Sequence, residues 1–297
     1  MDNNKIVNRV SVITIISNTV LAVIKFVAGF VANSKAMISD AIHTLSDIIT
    51  TIIALIGVRL ANRDDDDTHR YGHERFECIA SILLAMLLFI TGFEIGLSGI
   101  KTIMGGSYKE LTTPGLLALV AAIISILGKE LMFQYTIRAA KKIKSDALKA
   151  DAWHHRSDAI SSLGALIGIA LSMVGFKIFD SIASIIIAIL ICKVAVDIFF
   201  DATDKLVDKS CDEKTVEEIK NVIKKENGVL GIDDIKTRIF GSKIYVDVEI
   251  SADGNKTLKQ THLIAEKVHD KIEMKFPDVK HCMVHVNPYE GDKNEKK

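Results

Sequence analysis

The stretch 39-SDAIHTLSDIITT-51 lies inside an apolar run, Ala36–Leu60, and carries Asp40, His43 and Asp47. About 20 apolar residues suffice to cross a bilayer's hydrocarbon core, so this run reads as a membrane span. A carboxylate near the middle of a span costs roughly 2.5–3.5 kcal/mol on insertion scales, and such residues normally face a cavity and have a function. His43 and Asp47 are four residues apart and therefore share one helical face. Asp40 lies on the same face, and is a second-rank candidate.

Working outward, five further runs have span length: Ile6–Val31, Phe76–Ile103, Pro114–Ala139, Ala147–Val174 and Phe176–Phe200. The fifth span of the six, Ala147–Val174, is the weakest by hydropathy, because its first half is polar. No signal peptide is expected ahead of the first run. Basic residues concentrate on one side of the series: Lys5 and Arg9, then Arg59, Arg63, Arg70 and Arg75, then Arg138, Lys141, Lys142 and Lys144. The opposite side has Lys35, Lys101, Lys109 and Lys177. That bias predicts six spans with both termini cytoplasmic. The formal net charge of zero over 297 residues averages a lipid-like first part with a highly charged last part. Four cysteines with no C-x-x-C pair argue against a disulfide framework.

The fifth span repeats the opening pattern in 151-DAWHHRSDAISS-162, where His154 and Asp158 are again four apart. Asp151 and His155 satisfy the same spacing, but the deeper pair is favoured. At about 1.5 Å per residue, the two favoured pairs fall at depths that let them meet near the middle of antiparallel helices. Two nitrogens and two oxygens suit a tetrahedral divalent ion, zinc above all. A second cluster, Asp66, His69 and His73, stands in the loop 64-DDDDTHRYGHERFE-77, and can bind a metal near the membrane surface. No H-E-x-x-H motif is present, since the fourth residue after His73 is Glu77. That disfavours a membrane-embedded zinc hydrolase. A non-transporting metal sensor or scaffold would need no ligands inside the membrane.

After residue 206 the pattern changes. The segment 212-DEKTVEEIKNVIKKENG-228 has helical periodicity. The segments 232-IDDIKTRIFG-241 and 242-SKIYVDVEIS-251 alternate like a hairpin of two strands. An amphipathic helix in 257-TLKQTHLIAEKVHDKIEMKF-276 is stopped by Pro277, and 279-VKHCMVHVNP-288 is a last strand. The order α-β-β-α-β predicts a small α+β domain, an open sheet with helices on one face, over 207–290. Residues 291–297 read as a disordered tail.

These features together resemble the cation diffusion facilitators, proton-coupled exporters of divalent metals. The resemblance rests on six spans, H-x-x-x-D in spans two and five, the D-x-x-H-x-x-x-H loop and the α-β-β-α-β domain, and so covers almost the whole chain. It implies a transport domain over 1–206 and a ferredoxin-like, metallochaperone-like cytoplasmic domain. It implies a homodimer in a cell membrane that exchanges Zn2+ for protons, with no prosthetic group, no enzymatic activity and no nucleic-acid partner. His43, Asp47, His154 and Asp158 would form the transport site, and Asp66, His69 and His73 a loop site. Asp233, Asp247, His262 and His285 match positions that bind regulatory metal at the dimer interface. Histidine in both spans goes with zinc in this family, whereas aspartate in place of the fifth-span histidine goes with manganese. Fe2+, Co2+, Cd2+ and Mn2+ remain alternative cargoes of an N2O2 site.

Overall fold

The computed structural model describes residues 3–31, 35–105, 116–173 and 178–289. The tail at 291–297 and the connections bearing Lys109 and Lys177 lie outside the described residues. The chain divides into two compact units, Met1–Thr203 and Asp204–Lys297.

Six long helices carry the first unit: α1 (Asn3–Val31), α2 (Lys35–Ala61), α3 (Arg75–Met104), α4 (Leu116–Ile143), α5 (Asp146–Met173) and α6 (Ile178–Leu206). Each overlaps one predicted apolar run. Among the described residues, α1, α3 and the Asp40–Ala61 part of α2 are long and apolar enough to cross a membrane by length and composition.

The burial of α1 is inverted relative to a helix on a water-soluble protein. Ser11, Thr14, Asn18 and Lys25 are buried, whereas Ile16, Val20, Val23, Val27 and Phe30 are exposed. An apolar outer face of this extent is what hydrocarbon, acting as the solvent, would cover. The interior packs small residues against aliphatic ones: Ala54, Val58, Ala80, Leu84, Leu88 and Leu148 belong to one buried cluster. α2 lies against α1, α3 and α5, and α4 lies against α1 and α5. This arrangement puts α2, α4 and α5 around one interior point.

The second unit contains α7 (Glu213–Ile223), β1 (Gly231–Phe240), β2 (Lys243–Ala252), α8 (Leu258–Lys275) and β3 (Val279–Pro288). Asp212 caps α7 by accepting the Thr215 amide at 2.9 Å. Thr257 and Gln260 form a reciprocal capping box at the start of α8. Gly241, at φ 62°, supplies the left-handed residue that the β1–β2 turn requires. β1 pairs antiparallel with β2, and β2 pairs parallel with β3. A parallel pair needs a crossover, and α8 is that crossover. Val246, Val248 and Ile250 of β2 meet Ile219 and Ile223 of α7 and Ile264, Val268 and Ile272 of α8 in one buried cluster. Asp247, Glu249 and Ser251 alternate with them and point to the other face of the sheet.

Candidate metal centres

The central site is a ladder of contacts between α2 and α5. The Thr51 hydroxyl donates to Asp151 Oδ1 at 3.1 Å, and Thr50 donates to the same oxygen at 3.3 Å. His154 Nε2 lies 3.3 Å from Asp47 Oδ1. His43 Nε2 lies 3.9 Å from Asp158 Oδ1 and 4.0 Å from Asp47 Oδ1. Residue numbers fall along α5 as they rise along α2, so the helices are antiparallel. Steps of four residues in each helix keep the polar side chains in register across the interface. All four residues His43, Asp47, His154 and Asp158 are thereby brought together. Ligand atoms of His43, Asp47 and Asp158 lie within 4.8 Å of one another, close enough to share one ion.

The cluster is exposed at one end only. His43 is 52% exposed, whereas Asp47 is 2% exposed. Beyond Asp47, the residues Thr50, Thr51, Asp151 and His155 are all buried. His155 Nε2 is 3.7 Å from Asp151 Oδ2. This second pair therefore forms its own buried layer, separate from the four-residue cluster.

Lys129 of α4 is a fifth member that ligand spacing alone does not reveal. Its ammonium donates to Asp158 Oδ2 at 2.9 Å and to Asp47 Oδ2 in a second short contact. It is 2% exposed. The signal for it is present in the sequence as a lysine midway along a span, where an ionisable residue needs a partner. Lys25, an ionisable residue inside the first helix, also has a partner. It is buried, forms an ion pair with Asp40 Oδ2 at 2.9 Å and donates to Thr44 Oγ1 at 2.9 Å. Asp40 is thus engaged by Lys25.

The loop between α2 and α3 brings Asp66, His69 and His73 together, with ligand atoms again within 4.8 Å. Asp66 Oδ1 is 3.5 Å from His69 Nδ1, and Asp66 Oδ2 is 3.4 Å from His73 Nε2. The Thr68 hydroxyl donates to Asp66 at 2.6 Å, and the His69 and Thr68 amides donate at 2.8 and 3.0 Å. These donors, the Thr68 hydroxyl first, hold the Asp66 carboxyl well below the usual carboxylate range. The carboxylate is therefore oriented and ionised before any ion arrives.

In the second unit the predicted set is divided. Asp233 of β1 and His285 of β3 are joined through Asn287. The Asn287 amide donates to Asp233 Oδ2 at 3.0 Å, and its carbonyl oxygen lies 3.0 Å from His285 Nε2. Ser251 donates to Asp233 Oδ1 at 2.5 Å, and Asn287 reaches Glu249 at 3.4 Å. The Ser251 and Asn287 donors lower the Asp233 pKa. Asp247 is on the same sheet face but pairs in register with Met283. His262 is exposed on α8, the helix that covers the opposite face. Among the described residues, these four do not converge on one point within a single chain.

The first unit is thus a bundle of long helices with an apolar exterior and a buried cluster of histidine, aspartate and lysine, and the second is a small α+β unit. The cation efflux transmembrane domain matches residues 11–207, and the cytoplasmic domain of cation efflux proteins, ZT_dimer, matches 211–289. The chain belongs to the cation diffusion facilitator family, a family of membrane cation transporters. It is 38% identical to an uncharacterized transporter of Methanocaldococcus jannaschii, over 95% of this chain and 98% of that one. It is 34% identical to the manganese efflux system protein MneP of Bacillus subtilis, over 97% and 98% of the two chains. Among solved structures, a cadmium form of a MamM CTD variant matches 26% of this chain and 98% of its own, at 24% identity and a TM-score of 0.26.

Proposed function

We propose that the chain exports a divalent transition metal, Zn2+ above others, from the cytoplasm in exchange for protons. The observation that supports this reading is the α2–α5 ladder, in which His43, Asp47 and Asp158 lie within ligand distance of one another and His154 adjoins Asp47 inside a helical bundle. Metal loading needs neutral imidazole and ionised carboxylate, so each loading event displaces protons and each release allows them back. Histidine titrates near neutral pH and suits that exchange. The six helices all cross the membrane with both chain ends cytoplasmic, in a cell membrane. His43 then marks the outer end of the site, and the buried layer of Thr50, Thr51, Asp151 and His155 its cytoplasmic seal. Alternating access consists of opening one end while closing the other. Asp66, His69 and His73 hold metal at the cytoplasmic surface. Asp233, Asp247, His262 and His285 bind regulatory metal in a homodimer, which supplies from two copies what one does not gather.

The test is zinc-driven proton flux in proteoliposomes. Wild type should show it, and Asp47→Ala and Asp158→Ala should each abolish it; undiminished flux in both variants would overturn the site. A second reading, manganese as the cargo, is favoured by the likeness to a manganese efflux system protein. Competition among zinc, manganese, iron and cobalt separates the two, and a manganese-rich, zinc-poor preference would refute zinc.

A further inference from the structure

Each carboxylate of the central cluster is used on two sides. The Oδ1 atoms of Asp47 and Asp158 face the imidazoles, with His154 at 3.3 Å and His43 at 3.9 Å. Their Oδ2 atoms both accept from the Lys129 ammonium. Lys129 lies on a different helix from the four ligands, and its side chain is 3% exposed. Gly128 beside it leaves α4 close to α1, since a Cβ there would lie 3.0 Å from Leu21 Cδ1. The lysine is therefore anchored in position by packing as well as by its two acceptors.

Resting on the transport-site reading above, we propose that Lys129 is a specificity-determining residue. By holding the Oδ2 atom of each carboxylate, it leaves one oxygen from each for the metal. The donor set facing the ion is then two imidazole nitrogens and two single carboxylate oxygens, which fits a four-coordinate ion such as Zn2+. Ions that prefer more oxygen ligands would need the carboxylates to turn and bind through both atoms, and Lys129 opposes that turn. Its positive charge also repels any bound cation, which keeps affinity low enough for release. Hydrogen-bonded partners of metal ligands commonly tune a site in this way without touching the ion. Lys129 acts through Asp47 and Asp158, so it is a positioning residue.

The experiment is equilibrium binding of Zn2+, Mn2+ and Cd2+ to the purified full chain in detergent, taking as the site's signal the part that Asp47→Ala removes. X-ray absorption on the zinc-loaded protein reads the coordination number. In Lys129→Met, all three ions should bind more tightly. The preference for zinc over manganese should fall at least tenfold, about 1.4 kcal/mol. The number of oxygen neighbours around zinc should rise. Lys129→Arg, which can still donate to two carboxylates, should restore the wild-type ratio. Should Lys129→Met fail to give a monodisperse protein, Lys129→Gln removes the charge, keeps a donor, and is measured the same way. A zinc-to-manganese ratio within twofold of wild type in the uncharged variants would overturn the role of Lys129. If Asp47→Ala removes no binding at all, the transport-site reading has failed instead.

Discussion

The two units carry the same kinds of ligand to different ends. In the helical unit, residues more than a hundred positions apart in sequence, Asp47 and His154, sit 3.3 Å apart in a buried interface. In the α+β unit, Asp233 and His285 meet through Asn287 on an open sheet face, while Asp247 stands beside Met283 farther along that face and His262 is on α8 behind it. The difference is one of geometry. Two antiparallel helices that repeat one four-residue spacing have a single register that matches both pairs. A sheet with a helix on its far side has no such constraint, and residues on opposite faces cannot meet within one copy. Burial differs in the same direction: buried carboxylates must arrive with their charges matched, as Lys129 matches Asp47 and Asp158. A site in water need not.

That contrast breaks first, and by the largest margin, if transport depends equally on both units. On the proposed transport site, Asp158→Ala should reduce proteoliposome transport by roughly a hundredfold or more, since losing even a ligand's hydrogen-bond partner typically costs 10–100-fold. His285→Ala should reduce it by less than about fivefold, since the histidine contacts Asn287 on an exposed sheet face away from the helical cluster. Equal losses would show that the cytoplasmic cluster is part of the transport step itself.

The two faces of the small sheet sharpen the comparison within one unit. Ile250 is fully buried between the sheet and its helices, whereas its neighbour Glu249 is on the polar face. Ile250→Ala should cost about 2–5 kcal/mol, the usual range for truncating a packed aliphatic side chain. Glu249→Ala should leave stability within about 0.5 kcal/mol, as surface changes usually do. Chemical denaturation of the full chain, followed by a probe placed in this unit, reads both. A similar loss from Glu249→Ala would mean that the polar face is structural and not free to bind metal.

How much of this was legible in the sequence follows from the same geometry. The six long helices were visible as apolar runs, and the two H-x-x-x-D pairs as polar residues at helical spacing. The hairpin was visible because Gly241-Ser242 separates two alternating segments. Lys129 has no such trace, because ligand spacing is a pattern along one helix and its partners are on two others. The same holds for Lys25: Asp40 lies on the next helix, and spacing within α1 carries no trace of it. Nor does sequence alone give Asn287 its place between Asp233 and His285, since that depends on the register of β3 against β2. Contacts between elements at unrelated spacings leave no one-dimensional pattern.

The loop site tests the comparison at its finest, because it is assembled like the central site yet exposed like the cytoplasmic one. Its order rests on Asp66, which accepts the Thr68 and His69 amides. A carboxylate whose pKa is lowered by folding contributes its stabilisation fully above the unfolded value of about 3.9, and loses it as pH falls through the lower native value. The contribution of Asp66 should therefore be constant between pH 7 and pH 5. Hydrogen exchange of the Thr68 and His69 amides, corrected for the intrinsic effect of pH, should show equal protection at both. In Asp66→Ala, protection should drop modestly at both pH values. Protection that fades by pH 5 in the wild type would mean that the Asp66 carboxylate does not hold the loop. The site would then be assembled by the metal it binds, as an exposed site can be, and would belong with the cytoplasmic cluster instead of the buried ladder.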